Sequence, residues 1–283
     1  MNRTMIDWAQ SRIVLLMIGV VGSVPLICAQ EMKIMSLNIR YDNPADGENA
    51  WVHRKEGLAS WIKDSITPDV ICLQEVLHHQ LIYLESQWKT DYDYYGVGRE
   101  DGVMKGEYSP IFYKKSRFEV IKGETYWLSP TPEIPSKGWD AACERIVTVV
   151  YLKDKKLQDT LCVFNTHWDH VGRIARLKSA DILLRLYSLI PHQYSFFCGG
   201  DFNATEEEEC IAQLSNQWLD LTPSDDRSKP TFSGFQENPI DAKRIDFLWT
   251  RKGDSRQRYF HQVRGIKGIP FLSDHDAIWI DMR

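Results

Sequence analysis

Eight side chains able to hold a cation or move a proton stand at the ends of short apolar runs. Asn38 closes Ile-Met-Ser-Leu-Asn, Glu75 closes Val-Ile-Cys-Leu-Gln-Glu, and His167 closes Cys-Val-Phe-Asn-Thr-His. Asp201 and Asn203 end Phe-Phe-Cys-Gly-Gly-Asp-Phe-Asn, Asp246 lies in Arg-Ile-Asp-Phe-Leu-Trp, and Asp274 with His275 lies in Leu-Ser-Asp-His-Asp. Carboxylates bind hard cations and accept protons, imidazoles donate or accept near neutral pH, and amides orient both. A buried strand delivers its last side chain to the rim of a sheet, where loops surround it. Six such deliveries imply one converging polar site.

The elements that must position these residues follow from periodicity. Residues 32–39, 69–73, 109–113, 118–126, 146–152, 160–165, 194–198, 246–249 and 277–280 read as strands, rich in β-branched and aromatic types and bounded by turn formers. Apolar positions three and four apart predict helices over residues 54–66, 78–88 and 174–189. The acidic run 206–209 reads as the solvated first turn of another helix, where negative charge suits the dipole. No repeat or Pro/Gly/Ser-rich linker divides residues 30–283, so they form one domain. The mixed order of strands and helices disfavours a simple doubly wound sheet and fits two sheets packed face to face with helices outside.

The N-terminus reads differently. Arg3 and Arg12 precede 15 uncharged, mostly apolar residues, 13–27, shorter than the roughly 18 or more needed to span a bilayer. With small Ala29 at the cleavage point, residues 1–29 read as a signal peptide and the mature chain as secreted, periplasmic or cell-surface. A retained anchor and a lipidated Cys28 are the alternatives. Without Arg3, Arg12 and Asp7, the 34 basic and 39 acidic side chains become 32 and 38, a net charge of −6. Such a chain has no broad attraction for long nucleic acid. The remaining Cys72, Cys143, Cys162, Cys198 and Cys210 lack zinc-like spacing and allow at most one disulfide.

Six triplets appear in order: Ser36-Leu37-Asn38, Leu73-Gln74-Glu75, Asn165-Thr166-His167, Asp201-Phe202-Asn203 after Gly200, Arg244-Ile245-Asp246 and Ser273-Asp274-His275. Together they resemble the endonuclease/exonuclease/phosphatase superfamily of DNase I-like proteins. Asn38-Ile39-Arg40-Tyr41-Asp42-Asn43 and His167-Trp168-Asp169-His170 are similar to a group of secreted bacterial hydrolases within it. The resemblance implies a four-layer α/β sandwich and a secreted phosphoester hydrolase using Mg²⁺, with Mn²⁺ as the alternative ion. Its substrate would be a phosphorylated small molecule, a nucleotide or a nucleic acid. No stable protein partner is implied, so a monomer is expected. A non-catalytic surface protein binding phosphorylated ligands on the same scaffold is the rival reading.

Phosphoester hydrolysis needs charge spread over non-bridging oxygens, an activated water and support for the leaving oxygen. Glu75 suits Mg²⁺, the Asn38 amide oxygen can help hold it, and Asp274 resembles a further or outer-shell ligand. Asp201 is the candidate base with Asn203 beside it, and Asp246 resembles the family's partner to His275, favouring the imidazolium. His167 is expected to donate to a phosphate oxygen. Taken singly, an Asn or Asp after a strand is ordinarily a turn former; only the ordered set argues for chemistry. Arg145 and His170 are weaker substrate-binding candidates, each with an ordinary surface or ion-pair role as its rival. Trp139, Phe232 and Phe235 could stack on a base or sugar, or simply pack. Arg173 and Arg176 read as surface charge. The basic stretch 251–267, with Tyr259 and Phe260 interleaved, reads as a charged strand–loop–strand hairpin rather than a polyanion contact.

Overall fold

The computed structural model describes residues 32–240 and 242–282; the proposed signal peptide and Cys28 lie outside them. Twelve strands among the described residues form two six-stranded sheets. In the first, β1 (Met32–Asn38) runs parallel to β2 (Val70–Gln74). β3 (Tyr92–Tyr95), β4 (Ile111–Lys114), β11 (Arg258–Val263) and β12 (Ala277–Met282) complete the order β11-β12-β1-β2-β4-β3. The second contains β5 (Phe118–Trp127), β6 (Ile146–Asp154), β7 (Thr160–His167), β8 (Ser195–Asp201), β9 (Trp218–Asp220) and β10 (Asp246–Arg251), ordered β5-β6-β7-β8-β10-β9. Here β7 and β8 are the parallel pair.

Both central strand pairs are buried on two faces, which is why they read as unbroken apolar runs rather than alternating ones. Ile34, Cys72, Val150, Val163, Phe197 and Ile278 lie in the core between the sheets. The outer face of the first sheet packs on α1 (Trp51–Ser60), its π-helical continuation Trp61–Ile66 and α2 (His78–Trp88), through Leu58, Leu81 and Trp88. The outer face of the second packs on α3 (Arg173–Ser188) and α4 (Glu209–Ser215), through Leu183, Leu186 and Leu214. The result is the expected helix–sheet–sheet–helix sandwich.

Two details differ from expectation. Residues 251–267 are no hairpin: β10 and β11 belong to different sheets, and the basic stretch crosses between them. The possible disulfide does not form among the described residues; Cys72, Cys162, Cys198 and Cys210 are buried as small apolar groups, and Cys143 is half-buried.

Candidate active site

Strand register brings the sequence-distant residues together. On the second sheet His167 pairs with Asp201 and Asp201 with Asp246, so three neighbouring strands present them at one level. On the first sheet Asn38 pairs with Gln74, one residue before Glu75. Below the rim, Gln74 Nε2 donates to Asn165 Oδ1 at 2.7 Å, and Asn165 Nδ2 donates to the carbonyls of Leu73 (2.7 Å) and Pro110 (2.8 Å). These buried amides clamp the sheets directly beneath the site. At Gly200 a Cβ would lie 2.3 Å from the Thr166 carbonyl oxygen, so the close approach of β7 to β8 here requires glycine.

Beyond the strand ends the backbone turns sharply. Arg40 (φ 60°), Glu75 (φ 58°) and Asn203 (φ 47°) adopt left-handed conformations uncommon for non-glycine residues, and each lines the cleft. Fully buried Gln80 secures the first turn: its Oε1 accepts from the Asp42 and Leu77 amides, and its Nε2 donates to the Arg40 carbonyl. Residues 231–233 secure His275 from the other side. Thr231 accepts the Asp276 amide (2.7 Å), Ser233 N donates to the Asp274 carbonyl (2.8 Å), and Phe232 lies 5.0 Å from the His275 ring.

The cleft has a volume of about 490 Å³ and is lined by Glu75, Glu107, Asp201, Asp274, His167 and His275 among its titratable groups. Asp246 stands behind His275, its Oδ2 2.8 Å from Nδ1 and also accepting from Thr231 Oγ1 at 2.6 Å. His275 Nε2 lies 3.6 Å from Asp201 Oδ2, so the ring bridges two carboxylates. Burial disfavours the imidazolium, but Asp246 and Asp201 outweigh it and raise the His275 pKa well above the usual value. Asp201 is pushed up to about 7 by burial and by Asp246, against the pull of His275 and of hydrogen bonds from Asn203 N and the Asn38 amide. The cluster therefore holds a charged imidazole beside a carboxylate that can take a proton near neutrality.

His167 behaves oppositely. Burial and the positive charges of Arg145 and Arg99 hold its pKa well below the usual value. Asn203 Nδ2 donates to the Trp168 carbonyl (3.0 Å), which fixes the amide's orientation, and lies 3.1 Å from His167 Nε2. A neutral His167 then accepts at Nε2 and carries its hydrogen on Nδ1, which has no hydrogen-bond partner.

The amide of Asn38 reaches Glu75 Oε1 and Asp201 Oδ2, both at 3.0 Å, one hydrogen to each carboxylate. Its oxygen accepts from Arg40 N at 3.0 Å. Asn38 thus aligns two carboxylates through its amide nitrogen, while its oxygen keeps a second lone pair beyond the Arg40 amide. Glu75 Oε2 takes the Tyr41 amide at 3.0 Å. Asp274 accepts from Ser273 Oγ, with Arg40 3.7 Å away. Burial and the Glu75 charge raise the pKa of Asp274, and burial and Glu75 likewise raise that of Glu107. Acidic groups repelling one another across an oxygen-rich cleft fit a divalent hard cation, which would relieve the repulsion. Glu75, His167 and Asp201 offer ligand atoms within 4.8 Å of one another, as do Asp201, Asp246 and His275. The second group is already the hydrogen-bonded, charged-imidazole cluster, and in the first His167 Nε2 faces the Asn203 amide, so Glu75 with the neighbouring Asp274 is the side that suits a cation.

Arg145 and His170 also line the cleft, whereas Trp139 does not; it is 39% exposed on the segment outside. Phe232 lines it and Phe235 packs instead against Phe271. Arg176 pairs with Glu208. Arg40, Tyr41, Arg99, Glu107 and Lys243 line the cleft without having been singled out from sequence. Arg40 and Tyr41 stood within the quoted Asn38 motif; the others lie in irregular segments with no periodic signal.

A sequence model described as the Endonuclease/Exonuclease/phosphatase family matches residues 35–275. The chain belongs to this family. An endonuclease/exonuclease/phosphatase structure from Bacteroides vulgatus is 32% identical with a TM-score of 0.81, covering 90% of this chain and 99% of that one. A mannosyl-6-phosphatase from Bacteroides thetaiotaomicron is 28% identical with a TM-score of 0.78, covering 89% and 99%. At 18% identity and a TM-score of 0.68, D. rerio TDP2 complexed with a single-strand DNA product shares the fold, covering 89% and 99%. Family members are hydrolases of phosphoester bonds and typically depend on a divalent metal, which agrees with the oxygen-rich cleft.

Proposed function

We propose that the protein is an exported, Mg²⁺-dependent phosphoester hydrolase acting as a monomer on a small phosphorylated molecule. The observation that carries this reading is the buried Asp246–His275–Asp201 cluster joined through Asn38 to Glu75 in one cleft. Glu75 and Asp274 would hold the cation, which when bound supplies charge neutralisation at the phosphate oxygens. Asp201 accepts a proton as a water oxygen attacks phosphorus. The bond to the ester oxygen breaks, the departing alkoxide takes a proton from water, and Asp201 returns its proton to solvent. His275, kept charged by Asp246, donates from Nε2 to a non-bridging oxygen, and His167 donates from Nδ1. The net charge of −6 after removal of residues 1–29 favours a small substrate over a long polyanion. The mannosyl-6-phosphatase relative makes phosphorylated sugars the first compounds to test. Export rests on the charged lead and apolar run of residues 13–27; no helix among the described residues is long and apolar enough to cross a membrane.

The test is release of nitrophenol from mono- and bis-nitrophenyl phosphate with Mg²⁺, with Mn²⁺ and with chelator. Turnover with Mg²⁺ should fall at least about 100-fold in chelator and return when the ion is restored. No turnover of either ester with any divalent metal would remove the hydrolase reading.

A further inference from the structure

Arg145 immediately precedes β6. Val147 pairs with Thr166, so Ile146 stands across from His167 and Arg145 one residue beyond it, at the same rim where His167, Asp201 and Asp246 follow in lateral order. Strands spaced by roughly 4.8 Å put the Arg145 backbone about 10 Å from that of Asp201, within reach of a guanidinium and a phosphate together. Arg145 is only 5% exposed yet lines the cleft.

Its nitrogens are unequally used. Nε donates to Asp169 Oδ2 at 3.3 Å and Nη2 donates to His170 Nδ1 at 2.9 Å. Nη1 is buried without a partner. Arginine stays protonated, so an unmatched buried donor retains a desolvation cost that an incoming oxygen removes. Asp169 cannot supply more, because its oxygens already accept the amides of Ala142 (3.0 Å), Val171 (3.0 Å) and Gly172 (2.7 Å). That frame fixes the fork rather than neutralising every donor. Exposed His170 accepts through a lone pair and so occupies one prong with an uncharged atom. An anionic oxygen competes for that prong with the advantage of charge. The charge of Arg145 also bears on His167, consistent with its nearness to the reacting phosphate.

We propose that Arg145, positioned by Asp169, receives the third terminal oxygen of a phosphomonoester, so that the cleft selects monoesters over diesters. The proposal rests on the phosphoester-hydrolase reading above and narrows its substrate class. A monoester has three terminal oxygens and carries nearly two charges at neutral pH. His275 and His167 serve two of those oxygens, and Arg145 serves the third. In a diester that position carries an ester-linked group, whose alkyl end accepts nothing from a buried donor.

The experiment compares the Mg²⁺-loaded full chain with Arg145→Lys and Arg145→Ala. The readouts are kcat/KM on p-nitrophenyl phosphate and bis(p-nitrophenyl) phosphate, and the thermal shift produced by inorganic phosphate. The wild type should favour the monoester. In both variants monoester kcat/KM should fall at least about tenfold further than diester kcat/KM, the signature of a lost charge-assisted contact. The phosphate-induced shift should shrink with it. Arg145→Lys keeps a buried cation and guards against a folding defect in Arg145→Ala. A wild type that favours the diester, or variants with an unchanged substrate ratio, overturns the selectivity while leaving the hydrolase reading intact. Were neither ester turned over, the hydrolase reading would fail, and phosphate shifts equal in wild type and Arg145→Lys would remove the anion subsite as well. A shift lost in Arg145→Lys would keep it.

Discussion

Asp246 controls the charge state of the catalytic cluster without itself reaching the cleft. Its carboxylate accepts from Thr231 and faces His275 Nδ1, so it fixes both the orientation and the protonation of that ring. Asp246→Asn preserves shape but removes the charge that offsets burial of the imidazolium. His275 would then lose its proton at lower pH. The expected result is a fall in kcat of about 10²–10⁴, typical of removing charge support from a proton-handling histidine. The basic limb of the kcat/KM–pH profile should also move toward acid. A variant with wild-type rates and an unmoved basic limb would place the imidazolium outside the reaction. Thr231 and Asp246 differ in legibility. Asp246 interrupts an apolar strand and was visible; Thr231 is an unremarkable residue in a Ser/Pro/Gly-containing loop, and only the fold brings its hydroxyl to that carboxylate.

At the scale of elements, the two segments following β7 and preceding β6 are knitted together by carboxylates. Asp140 accepts from the first-turn amides of Ile174 (3.2 Å) and Ala175 (2.7 Å), capping α3 from a distant part of the chain. Asp169 accepts three backbone amides and Arg145. Burial opposes its ionisation, but the amides of Gly172, Ala142 and Val171, together with Arg145, lower its pKa to about 2 from 3.8. The sign follows from linkage: a depressed carboxylate stabilises the fold above its unfolded pKa, and this is lost as pH falls through the folded pKa. The contribution should be about 2 kcal/mol at neutral pH and should disappear between about pH 4 and pH 2. Denaturant titrations across that range should show the corresponding slope in wild type and its loss in Asp169→Asn; equal slopes would mean that Asp169 is not so held. Buried strands and amphipathic helices were legible because one residue type dominates each face, and α2 falls over its predicted residues 78–88. The short strands β3 and β9 were not, and β11 was expected only as one arm of a hairpin. Tyr92–Tyr95 and Arg258–Val263 carry polar, partly exposed side chains at or near sheet edges, and Trp218–Asp220 is only three residues long. The hairpin expectation for residues 251–267 failed because local sequence does not say to which sheet a strand returns. Arg99 and Glu107 escaped notice for a related reason: their 2.6 Å pairing and their approach to the cleft depend on a loop with no period.

For the molecule as a whole, the chemistry and a buried ionic strap occupy opposite ends of the sandwich. The cleft lies past the C-terminal ends of β1 and β7. Past the opposite ends, Arg117 is 1% exposed and joins Asp69, just before β2 of one sheet, to Asp154, closing β6 of the other. Its Nη1 lies 3.1 Å from Asp69 Oδ2, and its Nη2 lies 2.8 Å from Asp154 Oδ2. Between this strap and the buried Gln74 and Asn165 amides beneath the cleft, the sheets meet mainly through apolar side chains, which set contact without register. A guanidinium fork with two fixed acceptors adds direction. Replacing both acids and the arginine with apolar groups could be neutral, but deleting only the arginine leaves buried Asp154 without its cationic partner and Asp69 with Lys114 alone. Arg117→Ala should therefore lower unfolding free energy by about 3–5 kcal/mol, the usual cost of breaking a buried ion pair by removing one partner. Because the strap is remote from the cleft, kcat per folded molecule should stay near the wild-type value at temperatures below unfolding. Denaturant melts and active-site titration separate the two quantities. A stable Arg117→Ala variant would show that apolar packing and the Gln74–Asn165 amides suffice to fix the sheets, whereas a folded variant with depressed kcat would show that sheet alignment is transmitted from the strap to His167 and Asp201.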